Sequence, residues 1–283
     1  MRTFVFTCLL LLGMTTFAQD ANFHIYLCLG QSNMEGNAKV EEQDTVAVDS
    51  RFQVLAAVDC SNLGRTKGNW YKAVPPLARC YTGLTPGDYF GRAMVANLPS
   101  NVRVGIINVA VGGCRIELFD KDNYQSYVET SPDWLKNMVK EYGGNPYARL
   151  VEMAKLAQKD GVIKGILLHQ GESNTNDKDW PLKVKGVYDN LLNDLGLSAA
   201  NVPLLAGEVV HADQNGVCAS MNTIIDSLPQ VIPTAHVISS AGCPAAFDNL
   251  HFTAEGYRML GARYAAKMLS ILGYGDWTSA QNM

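Results

Sequence analysis

The sequence has no cluster of Lys or Arg able to neutralise a run of phosphates: 23 basic residues stand against 27 acidic ones, for a formal net charge of −4. Phosphate neutralisation supplies most nucleic-acid affinity, so nucleic acid is not an expected partner. Beyond the first eighteen residues no segment approaches twenty consecutive apolar residues, and no insertion in a membrane is expected. Histidine is scarce. The five, His24, His169, His211, His236 and His251, lack the spaced-ligand pattern of zinc enzymes, so neither a metal nor another cofactor is expected. Internal repeats and low-complexity linkers are absent, and so is the second glycine of the G-x-S-x-G elbow of α/β-hydrolases.

What is present begins with an export signal. Arg2 precedes an apolar run, Phe4 to Gly13, and a small-residue exit, Thr16-Phe17-Ala18, the pattern of a cleaved secretory peptide. The mature chain, residues 19–283, is expected as one domain, outside the cytoplasm or in the periplasm. Cys8 leaves with the signal, and the six remaining cysteines can pair in that compartment. Cys28 lies in an apolar strand and Cys114 in a glycine-rich turn, so both read as space-filling thiols. Cys60 with Cys80, and Cys218 with Cys243, lie in loop segments that a disulfide would staple.

Strand-length apolar runs, His24–Leu29, Val102–Val109, Ile163–Leu168, Pro203–Ala206 and Ala235–Ser239, alternate with helical patterns or loops. That alternation predicts a parallel sheet with helices on both faces, an α/β architecture. The last helix is marked by Tyr257, Leu260, Tyr264, Met268 and Ile271 at steps of three and four. Thr253 is placed to cap it and Glu255 sits in its first turn. Two stretches outside this alternation, 38–87 and 117–145, read as surface loop insertions, and their aromatics argue for order.

Strand His24–Leu29 runs straight into Gly30-Gln31-Ser32-Asn33-Met34. A Ser just past the end of a strand lies on the edge where open α/β sheets place ligands. Its base is best sought in Asp248-Asn249-Leu250-His251, where an Asp three residues ahead can hold the imidazole in one tautomer. His24 and His236 start strands, on the wrong edge, and His211 is a weaker rival. Strand Val102–Val109 ends in Gly112-Gly113-Cys114, and strand Ile163–Leu168 in His169-Gln170-Gly171-Glu172. Gly113, through its N–H, and Gln170, through its side-chain amide, suit the donors that acyl transfer needs where negative charge develops.

These four blocks, Gly30–Asn33, Gly112-Gly113, His169–Glu172 and Asp248–His251, resemble in order and spacing the SGNH hydrolase superfamily. Within it they are most similar to the group holding carbohydrate esterase family six and the sialate O-acetylesterase domain. The resemblance implies a flavodoxin-like three-layer α/β/α sandwich and a serine acetylesterase acting on acetylated carbohydrate. It implies that Ser32 attacks, that His251 takes the proton, and that Ser32 N–H, Gly113 N–H and Gln170 form the oxyanion hole, with Asn174 an alternative to Gln170. Asp248 is the preferred acid partner and Glu172 the alternative. Acetylated xylan leads as substrate. A sialate O-acetylesterase is the second reading, for which Arg115 would meet the sugar carboxylate. A non-catalytic carbohydrate-binding protein using Trp70, Tyr71 and Trp134 is a third.

Overall fold

The computed structural model describes residues 19–275, and the expected export signal lies outside the described residues. Seven strands, β1 (Asp20–Gly30), β2 (Phe52–Leu55), β3 (Trp70–Lys72), β4 (Arg103–Ala110), β5 (Gly161–His169), β6 (Leu204–Gly207) and β7 (Ala235–Ile238), form one sheet. Its order is β3-β2-β4-β1-β5-β6-β7. All neighbours run parallel except β3, which is antiparallel to β2. The longer helices are α1 (Pro86–Asn97), α2 (Asp133–Glu141), α3 (Pro146–Ala157), α4 (Trp180–Leu195) and α5 (Ala254–Ile271).

The central strand shows why the runs are apolar throughout. Successive side chains of β1 point to opposite faces, and both faces are covered. Phe23, Ile25, Leu27 and Leu29 join one core with residues of α2, α3 and α4. Tyr26 and Cys28 join the other with residues of α1 and α5. Each fully buried Leu, Ile or Phe contributes roughly 1.5–3 kcal/mol. The three-layer α/β/α sandwich expected above is therefore the observed fold. Helix α5 is capped as expected, Thr253 Oγ1 accepting the Gly256 N–H at 3.1 Å, but its buried stripe ends before Ile271, which is 38% exposed.

Several expectations need correction. The stretch 38–87 is not all surface insertion, because it supplies β2 and β3 and buries Phe52, Val54 and Leu55. The stretch 117–145 contains α2 and sends Phe119, Leu135, Val139 and Tyr142 into the core. Cys60 and Cys80 form a disulfide, whereas Cys218 and Cys243 are free. The second pair fails because Cys218 packs on one core and Cys243 lies in the other, on opposite sides of the sheet. Cys28 and Cys114 are buried free thiols, and burial pushes both thiol pKa values well up.

Candidate active site

Three central strands end level with one another: Gly30 of β1 pairs with Ala110 of β4 and His169 of β5. Gly30 has φ +149°, and a Cβ there would lie 2.0 Å from the His169 carbonyl oxygen. Only glycine allows the chain to pass so closely. Gln31 N–H then donates to that same carbonyl at 3.0 Å, and a short helical turn, Ser32–Glu35, begins. Ser32 is thus presented at the carboxyl edge of the sheet, 8% exposed, on the wall of a cleft of about 380 Å³.

The imidazole arrives on the loop before α5. Asp248 Oδ1 accepts the N–H groups of Leu250 and His251, each at 3.0 Å, an Asx-type turn with Asn249 in the left-handed region at φ 53°. This turn brings Asp248 Oδ2 to 2.7 Å from His251 Nδ1. His251 Nε2 lies 2.9 Å from Ser32 Oγ. An ionised carboxylate can only accept, so Nδ1 carries the proton and Nε2 accepts from the Ser32 hydroxyl. Burial works to raise the Asp248 pKa, but the His251 ring and the two backbone donors outweigh it, and the carboxyl stays below its ordinary value.

Glu172 is close but differently used. Its Oε1 accepts from Asn33 Nδ2 and lies 3.7 Å from His169 Nδ1, and no hydrogen bond joins Glu172 to His251. Asn33 in turn grips the base loop on both sides of His251, donating to Leu250 O at 3.1 Å and accepting the Phe252 N–H at 3.4 Å. Tyr257 Oη donates to Asn33 Oδ1 at 2.6 Å. His169 is fully buried, and burial pushes its pKa down against the opposing pull of Glu172.

On the other side of Ser32 lies the second glycine turn. Glu35 Oε1 accepts the Gly112 N–H at 3.0 Å and pairs with Arg79 at 2.5 Å. Arg79 is next to Cys80, so the disulfide tethers the segment that carries it. Gly113 O accepts from Ser173 Oγ at 3.0 Å, while the Gly113 N–H has no acceptor among the described residues. The Ser32 N–H opens its helical turn, where backbone donors have no intrahelical partner. Both donors are therefore available beside the Ser32 hydroxyl.

The expected third donor is not available. Gln170 is 1% exposed, and its Nε2 donates to Asn174 Oδ1, Gln31 Oε1 and Cys114 O at 2.8, 3.1 and 3.2 Å. Its Oε1 accepts from Trp180 Nε1. Asn174 is equally engaged, with Ile116 N–H, Glu117 and Asp177. Gln170 thus belongs to the scaffold under the cleft. Trp70 and Tyr71 are also displaced from the site: Trp70 packs on Phe23 at the start of β1 and bonds Asp160, and Tyr71 accepts from Thr66 N–H. Trp134, with Met138 one turn later on α2, does line the cleft. Arg115 does not line the cleft but is exposed beside it, its Nε donating to Ser173 O at 3.1 Å. His211 caps a turn through Asp213 N–H, away from Ser32. The roles of Gln31, Asn33, Glu35 and Arg79 were missed, although the first two stand in the serine block, where two carboxamides flanking one hydroxyl were the available signal.

A hydroxyl, imidazole and carboxylate aligned on the carboxyl edge of a parallel sheet define the class of the site, that of an ester hydrolase. The family follows from the sequence itself: a model described as "SASA: Carbohydrate esterase, sialic acid-specific acetylesterase" matches residues 22–270. The chain belongs to that family. It is 25% identical over 261 residues to "Probable carbohydrate esterase At4g34215" of Arabidopsis thaliana, covering 87% of this chain and 90% of the relative. The solved structure of the Arabidopsis AT4G34215 protein superposes with a TM-score of 0.67 at 21% identity, over 89% of this chain and 99% of the other. NanS superposes with a TM-score of 0.65 at 14% identity, over 90% and 99%. XAC1771, a carbohydrate acetylesterase from Xanthomonas citri, gives 0.59 at 16% identity, over 87% of this chain and 56% of its own. These superpositions establish the fold.

Proposed function

We propose that the protein removes O-acetyl groups from carbohydrate through an acyl-enzyme on Ser32, with His251 as general base and Asp248 as its acid partner. The observation that carries the reading is the relay from Asp248 Oδ2 to His251 Nδ1 at 2.7 Å and from His251 Nε2 to Ser32 Oγ at 2.9 Å. Ser32 Oγ attacks the acetyl carbonyl carbon as its proton passes to His251 Nε2. The carbonyl oxygen becomes an oxyanion, met by the N–H groups of Ser32 and Gly113. Collapse breaks the ester bond, and the sugar oxygen leaves with the proton from His251. Water, deprotonated by the same imidazole, then releases acetate and restores Ser32. Of the two carboxylates, Asp248 has the geometry of the partner.

A neutral acetylated sugar, acetylated xylan or its oligosaccharides foremost, is the favoured substrate. Glu172 lines the cleft and would repel a sugar carboxylate. A sialate ester remains the second reading because Arg115 is exposed, forms no ion pair among the described residues and bonds the carbonyl of Ser173, a cleft residue. The Cys60–Cys80 disulfide supports export of the mature chain. Acetate release from acetylated xylan and from O-acetyl sialic acid, each with the wild type and Ser32→Ala, tests the proposal. We expect release from xylan and loss of turnover by several orders of magnitude in Ser32→Ala at unchanged Tm. Substantial turnover by that variant removes Ser32 from the mechanism. Sole activity on the sialate, abolished by Arg115→Ala, selects the second reading.

A further inference from the structure

We infer that the Gln31 side chain, not that of Gln170, supplies the third oxyanion donor; the inference rests on Ser32 as nucleophile. Gln31 precedes Ser32 and lines the same cleft wall as Ser32 and Gly113. Its Oε1 accepts the Ser173 backbone N–H at 3.1 Å and Gln170 Nε2 at 3.1 Å. A backbone N–H can only donate, so the amide is fixed with its oxygen inward and its Nε2 outward. That Nε2 has no acceptor among the described residues, yet it is not sealed in the interior, although the residue as a whole is only 2% exposed. The cleft is the space it faces.

Gln170 and Ser173 then have a shared purpose. Gln170 holds Gln31 from below, and Ser173 holds it through its N–H while its Oγ bonds the Gly113 carbonyl at 3.0 Å. One residue thereby sets the orientation of both neighbouring donors. An amide locked before the reaction costs no reorganisation when the carbonyl oxygen acquires charge, and one such donor typically contributes about 10²–10³ in kcat.

The test compares Gln31→Glu and Gln31→Met with the wild type on 4-nitrophenyl acetate, with thermal melts alongside. Gln31→Glu keeps an oxygen for Ser173 N–H and Gln170 while replacing the outward donor by an acceptor. Gln31→Met removes the donor without introducing charge into the wall. We expect both to lose about 10²–10³ in kcat with KM changed little, and a tetrahedral trifluoromethyl ketone inhibitor to weaken in parallel. Gln31→Glu within a few-fold of the wild type overturns the inference, whatever Gln31→Met does. Should Gln31→Glu fail to fold, Gln31→Met decides alone, near-normal kcat overturning it. Ser32→Ala separates the two levels: activity in that variant sinks the nucleophile assignment, whereas an inactive Ser32→Ala beside an active Gln31→Glu sinks only the donor.

Discussion

Two carboxamides flank Ser32 and are used in opposite ways. Asn33, on the base side, has both ends engaged inside the protein: Nδ2 with Glu172 and Leu250 O, Oδ1 with Tyr257 Oη and Phe252 N–H. Gln31, on the oxyanion side, has only its oxygen engaged. His251 comes from a loop 219 residues away in sequence, so it must be gripped on both sides to keep its 2.9 Å contact with Ser32. Donors to the substrate must instead keep an unused hydrogen facing the cleft. Full internal satisfaction thus marks positioning groups, such as Asn33 and Gln170, and an open donor marks those that can touch the reacting atoms.

The largest effect that bears on this contrast comes from the two carboxylates. Asp248→Asn should lose up to about 10⁴ in kcat, the scale reached by the same change in a serine protease, because both tautomer control and the charge beside the imidazolium disappear. Glu172→Gln should lose far less in rate and more in stability, since it weakens a charge-assisted hydrogen bond worth about 1.5–3 kcal/mol that acts on His251 only through Asn33. Steady-state kinetics and thermal melts on both variants decide. The contrast breaks if Glu172→Gln collapses in kcat while Asp248→Asn stays within a few-fold of the wild type.

A pH series sharpens the same point with a smaller effect. The folded structure holds the Asp248 pKa below its ordinary value, so its charge contributes stability above the unfolded pKa, about 3.9, and that contribution is lost as pH falls through the lower folded value. The gap in Tm between wild type and Asp248→Asn should be full at neutral pH and close on acidification. Thermal melts of the two proteins across the acidic range are the measurement. A gap that stays unchanged on acidification removes the Asp248 charge from the stability of the folded state.

How much of this was legible in the sequence depended on whether the cause was local. Strands β1, β4, β5, β6 and β7 are built on largely buried apolar runs, and all were recognisable. Strand β2 and its edge neighbour β3 have four and three residues, and the half-exposed Trp-Tyr-Lys of β3 carries no period to detect. Ser32 sits at a strand end and Asp248 is three residues from His251, so both geometries could be anticipated from spacing. The saturation of Gln170 could not, because its partners Gln31, Cys114, Asn174 and Trp180 come from four separate segments. Cys218 and Cys243 misled for the converse reason: both lie in loops, and only the folded sheet puts them on opposite faces.

The smallest expected effect concerns what bounds the open side. The ring of Trp134 lies directly over Gly113: a Cβ added there would come within 2.6 Å of Trp134 Cη2. The ring therefore closes the space beside the available Gly113 N–H, where the methyl group of an acetyl ester would sit under the proposed mechanism. Trp134 is 53% exposed, so Trp134→Ala should cost little stability and leave the hydrogen-bonded parts of the site in place. Acetyl ester turnover should stay within a few-fold of the wild type. Longer acyl chains should gain, since a methylene accepted or refused by an apolar wall is worth about 1–3 kcal/mol, or 10–200-fold in discrimination. The measurement is the ratio of kcat/KM for 4-nitrophenyl butanoate over acetate in the two proteins. A rise of about tenfold, at the lower end of that range, assigns acyl-chain selection to Trp134. An unchanged ratio means that the acyl group lies elsewhere in the cleft, and that the open donors face a space this ring does not bound.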